Sequence, residues 1–173
     1  MNHWLMKSEP DEFGIEHLRR KPKQTEPWTG VRNYQARNHL RSMKPGDKVL
    51  FHHSSVTPAG VAGLAEVVSE PFPDPTALDP RSPYYDDRAA KKGGNAWVAV
   101  NVKFVEAFPR LLSMDEMRTI PALKSMLVLK KGMRLSVQPV TPAEYGTILE
   151  WMRKHPKAAE PSPKPSAKSS RHS

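Results

Sequence analysis

The apolar residues of this chain come in short runs stopped by proline or glycine, and no alternating strand–helix–strand rhythm links them. His3-Trp4-Leu5-Met6-Lys7 predicts a first strand, closed by Pro10. Asp47–Ser54 follows the turn pair Pro45-Gly46, holds Val49-Leu50-Phe51 and predicts a second. Gly60–Ser69 predicts a third, with glycines that permit a bend or a close backbone approach. Trp97–Phe108 alternates over Val98, Val100, Val102 and Phe104, the period of a half-buried strand. Arg134–Gln138 is a last short strand, stopped by Pro139. Such a pattern predicts an α+β fold: a small, partly open mixed β-barrel of five to six strands flanked by short helices, not a doubly wound sheet.

Three helices fit around those strands. Thr141-Pro142-Ala143-Glu144 matches a capping box with proline at the first helical position. Behind it Tyr145, Ile148, Leu149 and Met152 share one face. Asn33 is placed to cap a second helix with Ala36, Leu40 and Met43 inward, and Ile15–Arg20 is a third. Between Ser69 and Trp97 five prolines and Tyr84-Tyr85-Asp86-Asp87 make a connection too long to be idle, read as an ordered loop over the barrel.

The 173 residues suffice for one domain, assigned to residues 1–153. There is no cysteine, which excludes disulfides, thiolate zinc sites and a cysteine nucleophile. The formal net charge of +9 favours polyanionic partners. Residues 154–173 carry five Lys or Arg against one Glu among prolines and serines, so +4 of that charge sits on a segment read as a disordered basic tail. The body remains basic without it. No apolar run reaches the length of a bilayer span and no leader-like segment opens the chain. The expectation is no membrane contact and a cytoplasmic location, nuclear in a eukaryote.

Four stretches resemble one family. They are Trp4-Leu5-Met6-Lys7-Ser8-Glu9-Pro10, the segment from Trp28-Thr29-Gly30-Val31-Arg32-Asn33-Tyr34 to Asn38, the pair Val49–Ser54 and Gly60–Val68, and Arg134–Val140. In this order and spacing, from about residue 2 to 153, they are similar to EVE domains. The resemblance implies a PUA-like fold, no cofactor, and a pocket for an extruded, modified base: modified cytosine in DNA, or a modified base in RNA.

Base capture needs a stacking face, partners for the base edge and cations for the flanking phosphates. Trp28 supplies either a stacking face or a core tryptophan, and Tyr34 offers the same two readings. Arg32 and Asn33 sit where a loop meets a helix N-terminus; Arg32 can fork to a phosphate or a base edge, and Asn33 can read an edge or cap the helix. Arg37 and Arg41, one turn apart, suit a phosphate backbone or a solvated face. Lys7, Ser8 and Glu9 end a strand at the barrel mouth, either as pocket groups or as a structural ion pair. His52 and His53 point to opposite faces and cannot chelate a metal together, so His53 and Ser54 are the pocket candidates there. Ser136 and Gln138 share a strand face and are assigned to the pocket wall.

No nucleophile–base–orienter set, phosphate loop or metal-spaced cluster is evident, so the leading expectation is a monomeric, non-catalytic reader of nucleic acid, without a metal. The alternative follows from a second resemblance. Some ASCH domains are small amidohydrolases, and here Lys7, Ser8 and Glu9 supply a lysine, a hydroxyl and a carboxylate in three consecutive residues.

Overall fold

The computed structural model describes residues 1–157. Strands β1 (His3–Ser8), β2 (Thr25–Pro27), β3 (Lys48–His53), β4 (Gly60–Val67), β7 (Asn101–Ser113) and β8 (Val137–Val140) form one six-stranded sheet. Its order is β2-β7-β4-β3-β1-β8, and only β1 and β3 run parallel. The sheet curls into an open half-barrel of PUA-like architecture, flanked by short helices: α1 (Pro10–Phe13), α2 (Ile15–Arg20), α3 (Tyr34–Ser42), α4 (Asp87–Lys92), α5 (Met114–Arg118) and α6 (Pro142–Lys154). The mixed α+β fold expected from the short runs is the fold observed.

The central strands are apolar without a gap because both of their faces are covered. Trp4, Met6, Val49 and Phe51 point into a first core with Ile15 and Leu18 of α2, Ala36 and Leu40 of α3, and Trp28. The intervening Leu5 and Leu50 point the other way, into a second core with Met117 of α5 and Ile148 and Met152 of α6. The first face holds the hollow described below, and the second is its back.

Gly60 and Gly63 lie where β4 irregularly pairs β7, and a side chain there would strike the carbonyls of Leu112 and Glu106. The close approach expected of these glycines is therefore real. The expected strand over residues 97–108 is two elements: a short β6 (Val98–Ala99), paired with β5 (Phe72–Pro73), and then β7, which continues to Ser113. Irregular pairing with β4 shifts the alternation, so the period breaks after Phe104 although the strand does not. Pro139 likewise does not stop the last strand. It pairs opposite Trp4 on the outermost strand of the sheet and is exposed, where a missing N–H costs no ladder bond.

Both caps hold. Asn33 accepts from Ala36 N at 3.0 Å, and Thr141 and Glu144 bond reciprocally at 3.1 and 3.0 Å. The connection from Ser69 to Trp97 is ordered around a small core of Ala77, Ala89 and Trp97. Helix α6 takes in Lys154, and of the tail assigned to 154–173, residues 158–173 lie outside the described residues.

Candidate nucleic-acid interface

The parallel strands β1 and β3 end level with each other, Ser54 N donating to the Ser8 carbonyl at 2.9 Å. Beyond those ends the chain leaves the sheet, and a cavity of about 830 Å³ opens at the edge of the first core. That is in the size range of small-molecule pockets and ample for one nucleobase. Lys7, Ser8, Glu9, Trp28, Arg32, Asn33, Ser54 and Ser136 all border it.

Trp28 follows β2, tied by its own N–H to the Val100 carbonyl at 2.7 Å. It is 8% exposed and meets Phe51 edge-on at 5.5 Å and Phe13 edge-on at 6.3 Å. It belongs to the core and also borders the cavity. Its indole N–H differs from the others. Trp4, Trp97 and Trp151 donate to Asp47, Asp86 and Glu116 at 2.9, 2.6 and 2.7 Å. Among the described residues Trp28 Nε1 has no such acceptor. Nor is it sealed from solvent, since the sealed unpaired atoms are His3 Nδ1 and His52 Nδ1.

Lys7 is half-buried, and its Nζ reaches the Met133 carbonyl at 3.4 Å. Burial, and then the nearby Arg134 charge, lower its pKa. Ser8 Oγ donates to the Phe13 carbonyl at 2.6 Å, and Glu9 is exposed at the head of α1. Among the described residues no hydrogen bond joins Lys7, Ser8 and Glu9. The hydroxyl is committed to a backbone carbonyl, so these three do not form the nucleophile–base set the amidohydrolase alternative requires.

Arg32 is held from the far side. Its guanidinium pairs with Asp74, which is fully buried, at 2.9 Å, donates to Thr76 Oγ1 at 3.1 Å, and donates twice to the Tyr84 carbonyl at 3.0 and 2.8 Å. Asp74 Oδ2 also accepts from Gly30 N at 2.8 Å. Burial pushes the Asp74 carboxyl up, but the Thr76 hydroxyl, the Gly30 amide and Arg32 outweigh it and leave it below its ordinary value. Arg32 therefore latches the 69–97 connection against the cavity's edge. Arg37 donates to the Ala96 carbonyl at 3.1 Å and to Asn38, and Arg41 reaches the same carbonyl at 3.5 Å.

Three expected pocket residues stand elsewhere. Gln138 is 1% exposed and donates to the Leu135 carbonyl at 2.8 Å; the strand starts only at Val137, so Ser136 and Gln138 do not share a regular strand face. His53 Nε2 accepts from Ile15 N at 3.1 Å and so serves the start of α2. Tyr34 is exposed outside the cavity, stacked on Trp97 at 4.8 Å. The sequence reading missed Phe13, Tyr84, Met133 and Arg134, which also line the cavity. Arg134 had a usable signal, standing two residues before Ser136 in the closing motif, and Met133 immediately precedes that motif. Phe13 arrives from α1 with no local signal, and Tyr84 stands in the connection already read as lying over the barrel. His52 is 2% exposed on the back side, near Met114 Sδ at 3.5 Å. Burial, then the charges of Lys7 and His53, lower its pKa to about 4.

Among the described residues no helix is long and apolar enough to cross a membrane, and no group of three or more His, Cys, Asp or Glu can hold a metal ion.

Comparison with known proteins gives this geometry a context. The EVE domain model matches residues 2–151. Human thymocyte nuclear protein 1 is 40% identical over 172 residues, 90% of this chain and 76% of that protein. A crystal structure of human THYN1 in complex with DNA containing 5-methylcytosine superposes with a TM-score of 0.81 at 39% identity, covering 94% of this chain and 100% of that one. A protein from Pseudomonas syringae superposes with a TM-score of 0.82 at 45% identity, covering 87% and 99%. The chain belongs to the EVE-domain family.

Proposed function

We propose that this chain is a non-catalytic reader of modified bases, seating an extruded modified cytosine of DNA in the cavity beside Trp28. The observation that carries the reading is the indole N–H of Trp28: a donor with no protein acceptor among the described residues, on a residue that borders a base-sized hollow. The 5-methylcytosine DNA bound by the related human protein supplies the ligand class.

The chemistry of the lining fits such a base. A cytosine edge offers two acceptors and one amino donor. Trp28 Nε1 and Lys7 Nζ are the donors facing the acceptors, while the Glu9 and Glu12 carboxylates and the hydroxyls of Ser54 and Ser136 are available to the amino group. Phe13, Val31 and Met133 give the apolar wall that a 5-methyl substituent needs. Extruding a base costs a few kcal/mol of stacking and pairing, so the pocket must return at least that much. Asn33 caps α3 and Arg32 latches the loop, so both act by holding the pocket's edge. Arg37 and Arg41 lie outside the cavity lining and bond the Ala96 carbonyl.

Binding of matched duplexes that differ in one cytosine (unmodified, 5-methyl, 5-hydroxymethyl or 5-carboxyl) tests this, read by fluorescence polarisation. The wild type should prefer one modified form at moderate salt, and Ser136→Tyr, which puts a ring into the hollow, should return that form to the affinity of unmodified DNA. Equal affinity for all four duplexes would sink the reading. Turnover of an N4-acylated cytidine, abolished by Lys7→Ala, would replace it with the hydrolase.

A further inference from the structure

A second hollow of about 390 Å³ adjoins the first and shares Asn33, Met133 and Arg134 with it, so the two lie side by side. Its distinguishing feature is charge. Lys130, Lys131 and Arg134 line it, no carboxylate does, and none of the three cations forms an ion pair among the described residues. Arg32 and Arg37, by contrast, spend their guanidinium donors on Asp74, Asn38 and backbone carbonyls.

The segment that carries these cations is built to stay in place. Met133 N donates to the Lys130 carbonyl at 3.1 Å, closing a turn with Gly132 at φ 78°, a left-handed position where a side chain would be strained. Below it Met126 and Val128 are buried in the second core, and from the barrel side Lys7 Nζ reaches the Met133 carbonyl. Uncompensated cations held on a braced turn at the lip of a base-sized pocket match the phosphates next to an extruded nucleotide, because base and phosphate of one nucleotide must be met together. Preorganisation of this kind lowers the ordering cost of binding.

We propose that this turn is the phosphate clamp of the protein: Lys130, Lys131 and Arg134 grip the strand that flanks the extruded base, and they carry the salt-dependent part of binding. The inference rests on the reader function for its ligand, but it makes a separate prediction, about salt and not about modification.

The test is the slope of log affinity against log salt concentration for the full chain, on duplexes with and without one 5-methylcytosine. It compares wild type, the triple variant Lys130→Gln, Lys131→Gln, Arg134→Gln, and the double variant Arg37→Gln, Arg41→Gln. Each contacted phosphate contributes roughly 0.9 to the slope, so the triple variant should flatten it by about 2–3 on both duplexes. The replaced side chains of the turn are exposed, and an unchanged thermal melt would show that the fold is intact. A flattened slope in the triple variant supports the clamp even if the wild type shows no preference for the modified duplex, an outcome that would remove the reader alone. An unchanged slope in the triple variant, or a slope lost only in the Arg37/Arg41 double variant, overturns the clamp and leaves any modified-base preference untouched.

Discussion

The two faces of the sheet are made of the same kinds of residue and finished differently. On the back face Glu116 takes two bonds from Arg110 at 2.6 and 2.8 Å and one from Trp151 at 2.7 Å, tying β7, α5 and α6 together. What matters there is closure: indole, guanidinium and carboxylate satisfy one another, as polar groups drawn out of water must. On the front face another indole, that of Trp28, reaches a hollow with its donor unspent, beside a half-buried lysine whose burial disfavours its charge. Closure makes a brace, and an open donor makes a place for a ligand. The difference lies in what surrounds each tryptophan, not in the tryptophan.

The largest break of this contrast comes from Asp74→Ala. It strands Arg32 and the Gly30 amide, and losing one partner of a buried ion pair costs about 3–5 kcal/mol. Urea unfolding should show a loss of that size, accompanied by lost DNA binding as the 69–97 connection comes away; a loss below about 1 kcal/mol would mean that the latch holds nothing. Next is pH. The His52 pKa is about 4 in the folded chain against an ordinary 6.5, so between these values the unfolded chain binds more protons. Stability is complete above about pH 6.5 and falls as pH drops toward 4, by about 3 kcal/mol at most from this group. His52→Phe should flatten that stretch of the stability–pH curve, and an unaltered curve would assign the acid sensitivity elsewhere. Glu116→Gln weakens charge-assisted bonds worth roughly 1.5–3 kcal/mol and should lower the melting point without changing affinity for DNA. Changed affinity would show that the two faces are coupled. Smallest is Trp28→Phe, which keeps an aromatic wall and deletes the donor. Affinity for the modified duplex should drop by about 2–10-fold, the worth of one net hydrogen bond, while unmodified DNA binds as before.

Much of this arrangement is written locally in the chain. The caps at Asn33 and Thr141 are contiguous signals, and Trp4-Leu5-Met6 and Val49-Leu50-Phe51 announce strands whatever covers them. The same local view places Trp28, Arg32 and Lys7 at the cavity, because their motifs lie at strand ends and helix starts. What it does not show is partnership across distance. Arg32 is paired with Asp74, 42 positions away in a proline-rich stretch, and no periodicity connects them. Gln138 shows a subtler point: the alternation rule is sound, but the strand begins one residue after Ser136, so the two do not share a regular face. His53 shows the limit from another side. A side chain at a strand end near the mouth can turn to a neighbouring helix, here the amide of Ile15 at 3.1 Å, as readily as to a ligand.

The central claim is that the unspent indole donor of Trp28 meets the base, and the most direct measurement is the indole N–H region of a ¹H–¹⁵N spectrum during titration with DNA. The chain has four tryptophans, so four signals can be followed, with Trp28→Phe assigning one of them. A duplex carrying 5-methylcytosine should move the Trp28 signal downfield and leave Trp4, Trp97 and Trp151, already bonded to carboxylates, nearly still; the unmodified duplex at the same salt should move none of them. A Trp28 signal that stays in place while the protein is saturated with the modified duplex would contradict the account.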